Sequence, residues 1–212
     1  MTRTLFDCVG DWFEDMVQTQ FPELNKTDCR DGRRPDFEGP DFCVEAKTGY
    51  WDYGAQLKGV QIANFQSAKG PLIYAIGYHN TPGLRNISTH MTEDEIDSHL
   101  RINGGMHSAY LVSNAVIQRL WHKESHTAAN HPDWRYFSVR PRHLNAIINN
   151  TAFRRGDVRH MPSRWYGIRR SELLLKPAPL LEGRRKNLVF GTILHRDDDK
   201  AVIDYMTKRK CI

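Results

Sequence analysis

Asp36, Glu45 and Lys47 have the types and spacing for metal-assisted hydrolysis. Two carboxylates within reach of each other can hold Mg²⁺, a hard cation that takes oxygen ligands and keeps several waters. Such a cation polarises a phosphate and makes a bound water more acidic. A lysine beside that water can orient it, help remove its proton, or offset negative charge in the transition state.

The chemistry depends on how the chain brings these residues together. Arg34 to Thr48 reads as a β-hairpin turning at Glu38-Gly-Pro-Asp41. Strand side chains alternate faces, so Phe42, Val44 and Ala46 face a core and Cys43, Glu45 and Lys47 face the other way. Glu45 and Lys47 are then neighbours, roughly 7 Å apart along the strand. A Gly39-Pro40 turn, or a loop from 38 to 41, sets Phe37 opposite Phe42 and Asp36 opposite Cys43. Asp36 then shares the Glu45 face on a cross-strand diagonal. A three-residue loop would turn Asp36 away. Asp41 reads as a turn residue, about 13 Å from Glu45 along the strand.

Other elements frame the hairpin. Leu5 to Gln20 carries Leu5, Phe6, Val9, Trp12, Phe13, Met16 and Val17 at helical spacing, and Phe21-Pro22 ends it. Asn25 to Arg34 is polar, with a short strand expected. Gln56 to Ser67 carries a helix signal broken by Gly70-Pro71, and Leu72 to Tyr78 reads as a strand buried on both faces. Asn80 to Gly105 is polar and irregular, and Ala109 to Trp121 fits strand or helix. Ser125 to Asp133 reads as a loop, Tyr136 to Arg140 as a strand, and Pro141 to Asn149 as a helix with proline in its first turn.

Pro35-Asp36 followed by Glu45-Ala46-Lys47, set in a helix–hairpin–helix–strand order over roughly residues 5–80, resembles the PD-(D/E)XK nuclease superfamily. Gly10-Asp-Trp-Phe-Glu14 is similar to the G-x-x-F-E opening of its Holliday junction resolvase-like branch. The resemblance implies an α/β fold with a restriction endonuclease-like core (αβββαβ, a central mixed sheet flanked by helices). It implies Asp36, Glu45, the Ala46 carbonyl and Glu14 as ligands of Mg²⁺, with Mn²⁺ able to substitute, and Lys47 at the nucleophilic water. Asp11 rivals Glu14, with Asp7 weaker. Some members carry a glutamine on the following helix, for which Gln61 and Gln56 are candidates. Residues 1–150 are expected to form the core and 151–212 a basic extension packed on it. That extension makes the chain longer than the archaeal resolvases.

The charge distribution suits such a role. Residues 1–100 hold 9 Lys/Arg against 16 Asp/Glu, and residues 101–212 hold 21 against 9. An acidic half beside a basic half can gather cations and grip a polyanion. Arg154, Arg155, Arg159, Arg164, Arg169 and Arg170, with Trp165 and Tyr166 among them, are candidate phosphate contacts; a solvated face is the alternative. His122, His126 and His131 lack Cys or acidic partners at zinc-ligand spacing and fit a loop near phosphate better. Cys8, Cys29, Cys43 and Cys211 form no C-x-x-C pair and read as free thiols of a cytoplasmic protein. No apolar run approaches the roughly 20 residues of a membrane span, and no small-molecule cofactor is expected.

The expected partner is DNA. A type II restriction-type enzyme is favoured, since arginine beside aromatics suits base-edge reading. A junction resolvase or another repair or phage nuclease is the alternative, and a non-catalytic nucleic-acid-binding protein is the rival of another class. A homodimer is expected, because cutting two strands symmetrically needs two sites.

Overall fold

The computed structural model describes residues 5–27, 34–51, 54–65, 70–79, 106–127, 136–151, 153–155, 158–160, 167–181 and 188–210, with Thr92, Asp94, Glu95 and Ser98 between. In chain order these form α1 (Leu5–Gln20), β1 (Asn25–Lys26), β2 (Phe37–Glu38), β3 (Cys43–Tyr50), β4 (Gly54–Lys58), α2 (Gly59–Asn64), β5 (Leu72–His79), β6 (Met106–Ser113), α3 (Asn114–Thr127), β7 (Tyr136–Val139), α4 (Pro141–Asn149), β8 (Phe153–Arg155), β9 (Val158–His160), a 3-10 turn (Arg170–Glu172), β10 (Leu173–Lys176), β11 (Phe190–His195) and α5 (Lys200–Lys208). None of the helices among the described residues is long and apolar enough to cross a membrane.

The fold is α/β, with a mixed central sheet between helices. The strand order is β1-β2-β3-β5-β6-β11-β10, with β4 joining β3 to β7. β3 and β5 run parallel, as do β6 and β11, while β5–β6 and β10–β11 are antiparallel. β5 is buried along its whole length, which its apolar sequence anticipates. Its alternate residues feed two cores. Ile73 and Ala75 join Val44, Ala46, Phe13 and Val17 of α1, and Val202 and Met206 of α5. Leu72, Tyr74, Ile76 and Tyr78 join Cys43, Ile62 of α2, Leu120 of α3 and Leu144 of α4. The helix over Leu5–Gln20 forms as its periodicity implies, with Val9, Phe13 and Val17 buried. It approaches the sheet closely at Gly77, where a Cβ would lie 2.5 Å from Phe13 Cε2.

Several expectations change. The helix signal over Gln56 to Ser67 begins too early: Gln56–Lys58 belong to β4, paired with β7. The ambiguous stretch Ala109 to Trp121 divides, with the strand ending at Ser113 and α3 running on through Thr127, into the expected loop. Asn80 to Gly105 lies almost wholly outside the described residues. Of residues 151–212, expected as a basic extension packed on the core, β10 and β11 enter the main sheet, with Leu173 and Ile193 in one core and Phe190, Leu194, Val202 and Met206 in the other.

Candidate active site

The site lies at a gap in one edge of β3. β2 pairs with Cys43 and Val44 only, and β4 pairs with Gly49 and Tyr50 only. Neither ladder reaches Glu45 to Thr48, so Ala46 has no strand partner there. The side chain of Asp36 takes that place, its Oδ2 accepting from the Ala46 N–H at 2.8 Å. The Asp36 N–H in turn donates to Glu45 Oε2 at 3.1 Å.

This geometry corrects the hairpin register. Phe37 opposes Val44 and Glu38 opposes Cys43, two residues on from the expected Phe37–Phe42 and Asp36–Cys43 pairs. The tight turn is Pro40-Asp41, closed by Gly39 N–H donating to the Phe42 carbonyl at 3.0 Å, and not Gly39-Pro40. A two-residue shift preserves the face but moves Asp36 from a diagonal to directly across from Glu45. Asp41 lies in the turn, exposed. Thr27, following β1, holds the Asp36 segment: its N–H donates to the Asp36 carbonyl at 2.8 Å and its hydroxyl to the Pro35 carbonyl at 2.5 Å.

Lys47 closes the cluster. Its Nζ lies 2.5 Å from Glu45 Oε1 and 3.6 Å from Asp36 Oδ2, and donates to the Ala46 carbonyl at 3.0 Å. The contact with Oε1 is an ion pair without hydrogen-bond alignment, so this buried oxygen lacks an aligned donor. Glu45 is 1% exposed, whereas the side chains of Lys47 and Asp36 are 21% and 25% exposed. Burial pushes the Glu45 carboxyl up to about 7; the Lys47 ammonium opposes the shift and the Asp36 charge adds to it. Burial pulls Lys47 the other way, but the charges of Glu45 and Asp36 outweigh it and hold the ammonium protonated above its ordinary range.

Two neighbours have no signal in the sequence. Tyr74 is in register with Glu45 on β5, buried, with an unpartnered hydroxyl; burial and then the Glu45 charge raise its pKa. Lys26 on β1 pairs with Glu14 Oε2 at 2.8 Å. Both positions follow from strand pairing across distant segments.

The sequence candidates therefore divide. Asp36, Glu45, Ala46 and Lys47 converge. Glu14 projects from α1 near enough for its charge to act on Lys47, yet it is engaged by Lys26. Asp11 is half-buried and Asp7 exposed on the same helix. Gln61 is half-buried on α2, which packs on the sheet face that carries Glu45, while Gln56 is exposed on β4. Among the described residues no three His, Cys, Asp or Glu side chains come together as a metal-binding group. The oxygens at the gap are two carboxylates and one backbone carbonyl. Such all-oxygen donors, including a buried carboxylate oxygen without an aligned donor, fit a hard cation that retains waters.

The basic candidates fall on different elements. Arg154 and Arg155 lie on β8, where Arg154 opposes Arg159 of β9 in a separate two-stranded sheet. Arg169 is 83% exposed and pairs with Glu172 at 2.7 Å. Arg170 donates to the carbonyls of Ile147, at 2.7 Å, and Ile148, at the end of α4. Arg164, His131, Cys29 and Cys211 lie outside the described residues, as do Trp165 and Tyr166. His122 and His126 fall on α3. Cys8 and Cys43 are buried and form no disulfide.

No family model matches the chain, and comparison with curated proteins and with solved structures finds no similar protein.

Proposed function

We propose that the chain is a Mg²⁺-dependent endodeoxyribonuclease with a restriction-endonuclease-like core, of the type II restriction kind. One observation carries the reading: Asp36 Oδ2, Glu45 Oε1 and the Ala46 carbonyl gather around a single cationic centre at a gap in a sheet edge. A salt bridge that only braced a hairpin would not need a carboxylate buried to 1% exposure with its pKa lifted to about 7.

Asp36, Glu45 and the Ala46 carbonyl would hold the metal, with Glu14 joining them once released from Lys26. When bound, Mg²⁺ supplies Lewis acidity toward the scissile phosphate and toward water. The chain does the rest. The Asp36–Ala46 and Asp36–Glu45 hydrogen bonds fix the ligand oxygens before substrate arrives. The Lys47 ammonium orients the attacking water and offsets the charge that develops on phosphorus oxygens. The exposed Arg169, together with Arg154 and Arg155 of β8, contacts the DNA backbone. A homodimer sets two such sites against the two strands.

The test is incubation of the protein with plasmid, linear duplex and four-way junction DNA, with and without Mg²⁺ or Mn²⁺. Discrete metal-dependent fragments from plasmid and linear duplex are expected, and Lys47→Ala should abolish them while circular dichroism stays unchanged. Cutting confined to junctions would replace the restriction reading with a resolvase. Cleavage that survives both Asp36→Ala and Lys47→Ala would overturn the site. Salt-sensitive DNA binding without cleavage would leave a binding protein.

A further inference from the structure

The Lys47 ammonium sits among the same three oxygens that the proposed metal requires. It is 2.5 Å from Glu45 Oε1, 3.0 Å from the Ala46 carbonyl and 3.6 Å from Asp36 Oδ2. A Mg²⁺ ion bonds oxygen at roughly 2.0–2.1 Å. Two cations cannot both contact Oε1 at those distances without strong repulsion. We propose that Lys47 and the divalent cation compete for one seat, so that metal binding expels the ammonium from Glu45 and delivers it to the attacking water.

The proposal rests on the reading of the gap as a metal site and adds an order of events to it. The surroundings decide which group moves. Glu45 is 1% exposed and held by the Asp36 N–H. Asp36 is held by the Ala46 N–H through its side chain and by Thr27 through its backbone. Asp36 is equally open to solvent but short and held by these bonds, whereas Lys47, 21% exposed, has a flexible four-carbon stem that can swing away. Until metal arrives, its single positive charge offsets the repulsion between two carboxylates that face each other across the hairpin. The lysine thus acts as a placeholder that keeps the ligand cage assembled, and it reaches its catalytic position only when the metal takes over that task.

Two measurements without DNA test this. In Lys47→Met the competitor is gone and the apolar stem is kept, so Mn²⁺ affinity by titration calorimetry should rise at least tenfold over wild type. The gain should vanish in the Asp36→Asn, Lys47→Met double variant. In the wild-type protein, acetylation of Lys47 by a small acylating reagent, followed by mass spectrometry, should speed up several-fold when Ca²⁺ or Mn²⁺ is added. This second arm decides the matter if Lys47→Met fails to fold. Equal or weaker Mn²⁺ binding by a folded Lys47→Met overturns the proposal, as does metal that leaves Lys47 acetylation unchanged or slows it. Both expected results with no DNA cleavage would sink the nuclease reading and leave the competition standing. Cleavage without the affinity gain would do the reverse.

Discussion

The backbone N–H of Asp36 donates to Glu45 Oε2 at 3.1 Å, while the Asp36 side chain accepts from the backbone N–H of Ala46 at 2.8 Å. Each carboxylate is thus oriented by the backbone of the opposite strand. The arrangement stays in place only while the Asp36 segment is held from behind, and Thr27 holds it with two hydrogen bonds. Thr27→Val keeps the shape and the N–H but removes the hydroxyl bond to Pro35. It should cost about 1 kcal/mol of stability and lower metal-dependent cleavage by roughly tenfold, since small misplacements of a ligand are amplified in rate. Denaturant melts beside cleavage rates check it; unchanged cleavage in a destabilised variant would show that Thr27 braces the hairpin without positioning Asp36.

The Glu45 carboxyl must be ionised to bind a cation. With its pKa lifted by burial to about 7, the ionised fraction falls as pH drops below 7. Mn²⁺ affinity should therefore rise about tenfold per pH unit from 5 to 6.5 and level off above roughly 7.5. Asp36→Asn removes a charge that raises this pKa, so the midpoint of the residual binding should move to lower pH. Calorimetric titrations at several pH values read both effects. A profile flat from pH 5 to 7.5 would show that Glu45 is not a ligand.

Much of this site is written in local sequence, and the limits of legibility are physical. Alternation along Cys43–Lys47 places Glu45 and Lys47 on one face whatever the turn, and either of the two-residue turns keeps Asp36 with them. Choosing Pro40-Asp41 over Gly39-Pro40 depends on strand pairing further along, which one segment cannot reveal. Gln56–Lys58 read as helix because their pairing partner, Tyr136–Ser138, is some eighty residues away. The same holds for β11, whose parallel neighbour β6 ends long before it begins, and for Tyr74 beside Glu45. Helices α1 and α4, whose signals are local periodicity and a proline start, match their expected bounds.

The two neighbouring arginines should separate by experiment. Arg170 donates to the Ile147 and Ile148 carbonyls in the last turn of α4, where a cation is also favoured by the helix dipole. Arg170→Ala should lose about 1–2 kcal/mol of stability with little change in DNA affinity at fixed folded concentration. Arg169 is exposed, and its pairing with Glu172 is worth little in water. Arg169→Ala should leave stability intact and reduce the salt dependence of DNA binding by about one counterion. Binding isotherms at several salt concentrations distinguish them, and the opposite pattern would exchange their roles.

Glu14 reaches the site only from a helix pressed against Gly77. In Gly77→Ala the new Cβ would meet Phe13 Cε2 at 2.5 Å and Met106 Sδ at 2.9 Å, so Phe13, the fully buried anchor of α1 on the sheet, must shift. Overpacking of this kind costs about 1–3 kcal/mol. If Glu14 completes the metal site, cleavage by Gly77→Ala and by Glu14→Gln should both need severalfold more Mg²⁺, while Lys26→Met, which frees Glu14 from its ion pair, should need less. Equal Mg²⁺ requirements in Glu14→Gln and wild type would confine the site to Asp36, Glu45 and Ala46.

Asp199 offers a test of the fold apart from the chemistry. It is 2% exposed, its Oδ2 accepts from the His195 N–H at 2.7 Å, and it joins the end of β11 to the start of α5. Burial lifts its pKa from 3.8 to about 6, against the lowering effect of the Ser113 hydroxyl and the His195 N–H. Between those values the folded state binds more protons than the unfolded chain, so stability falls as pH rises through the window and the loss is complete above about 6. A shift of that size corresponds to about 3 kcal/mol at most. Asp199→Asn stays neutral throughout and still offers an oxygen to His195. Glu45 adds a fall of the same sign up to about pH 7 in both proteins, so the informative quantity is the difference between them. In urea melts from pH 4 to pH 7 the variant should gain on wild type by on the order of 2–3 kcal/mol. A difference that stays constant over that range would mean that Asp199 is ionised in the fold at every pH tested and that its two donors outweigh its burial.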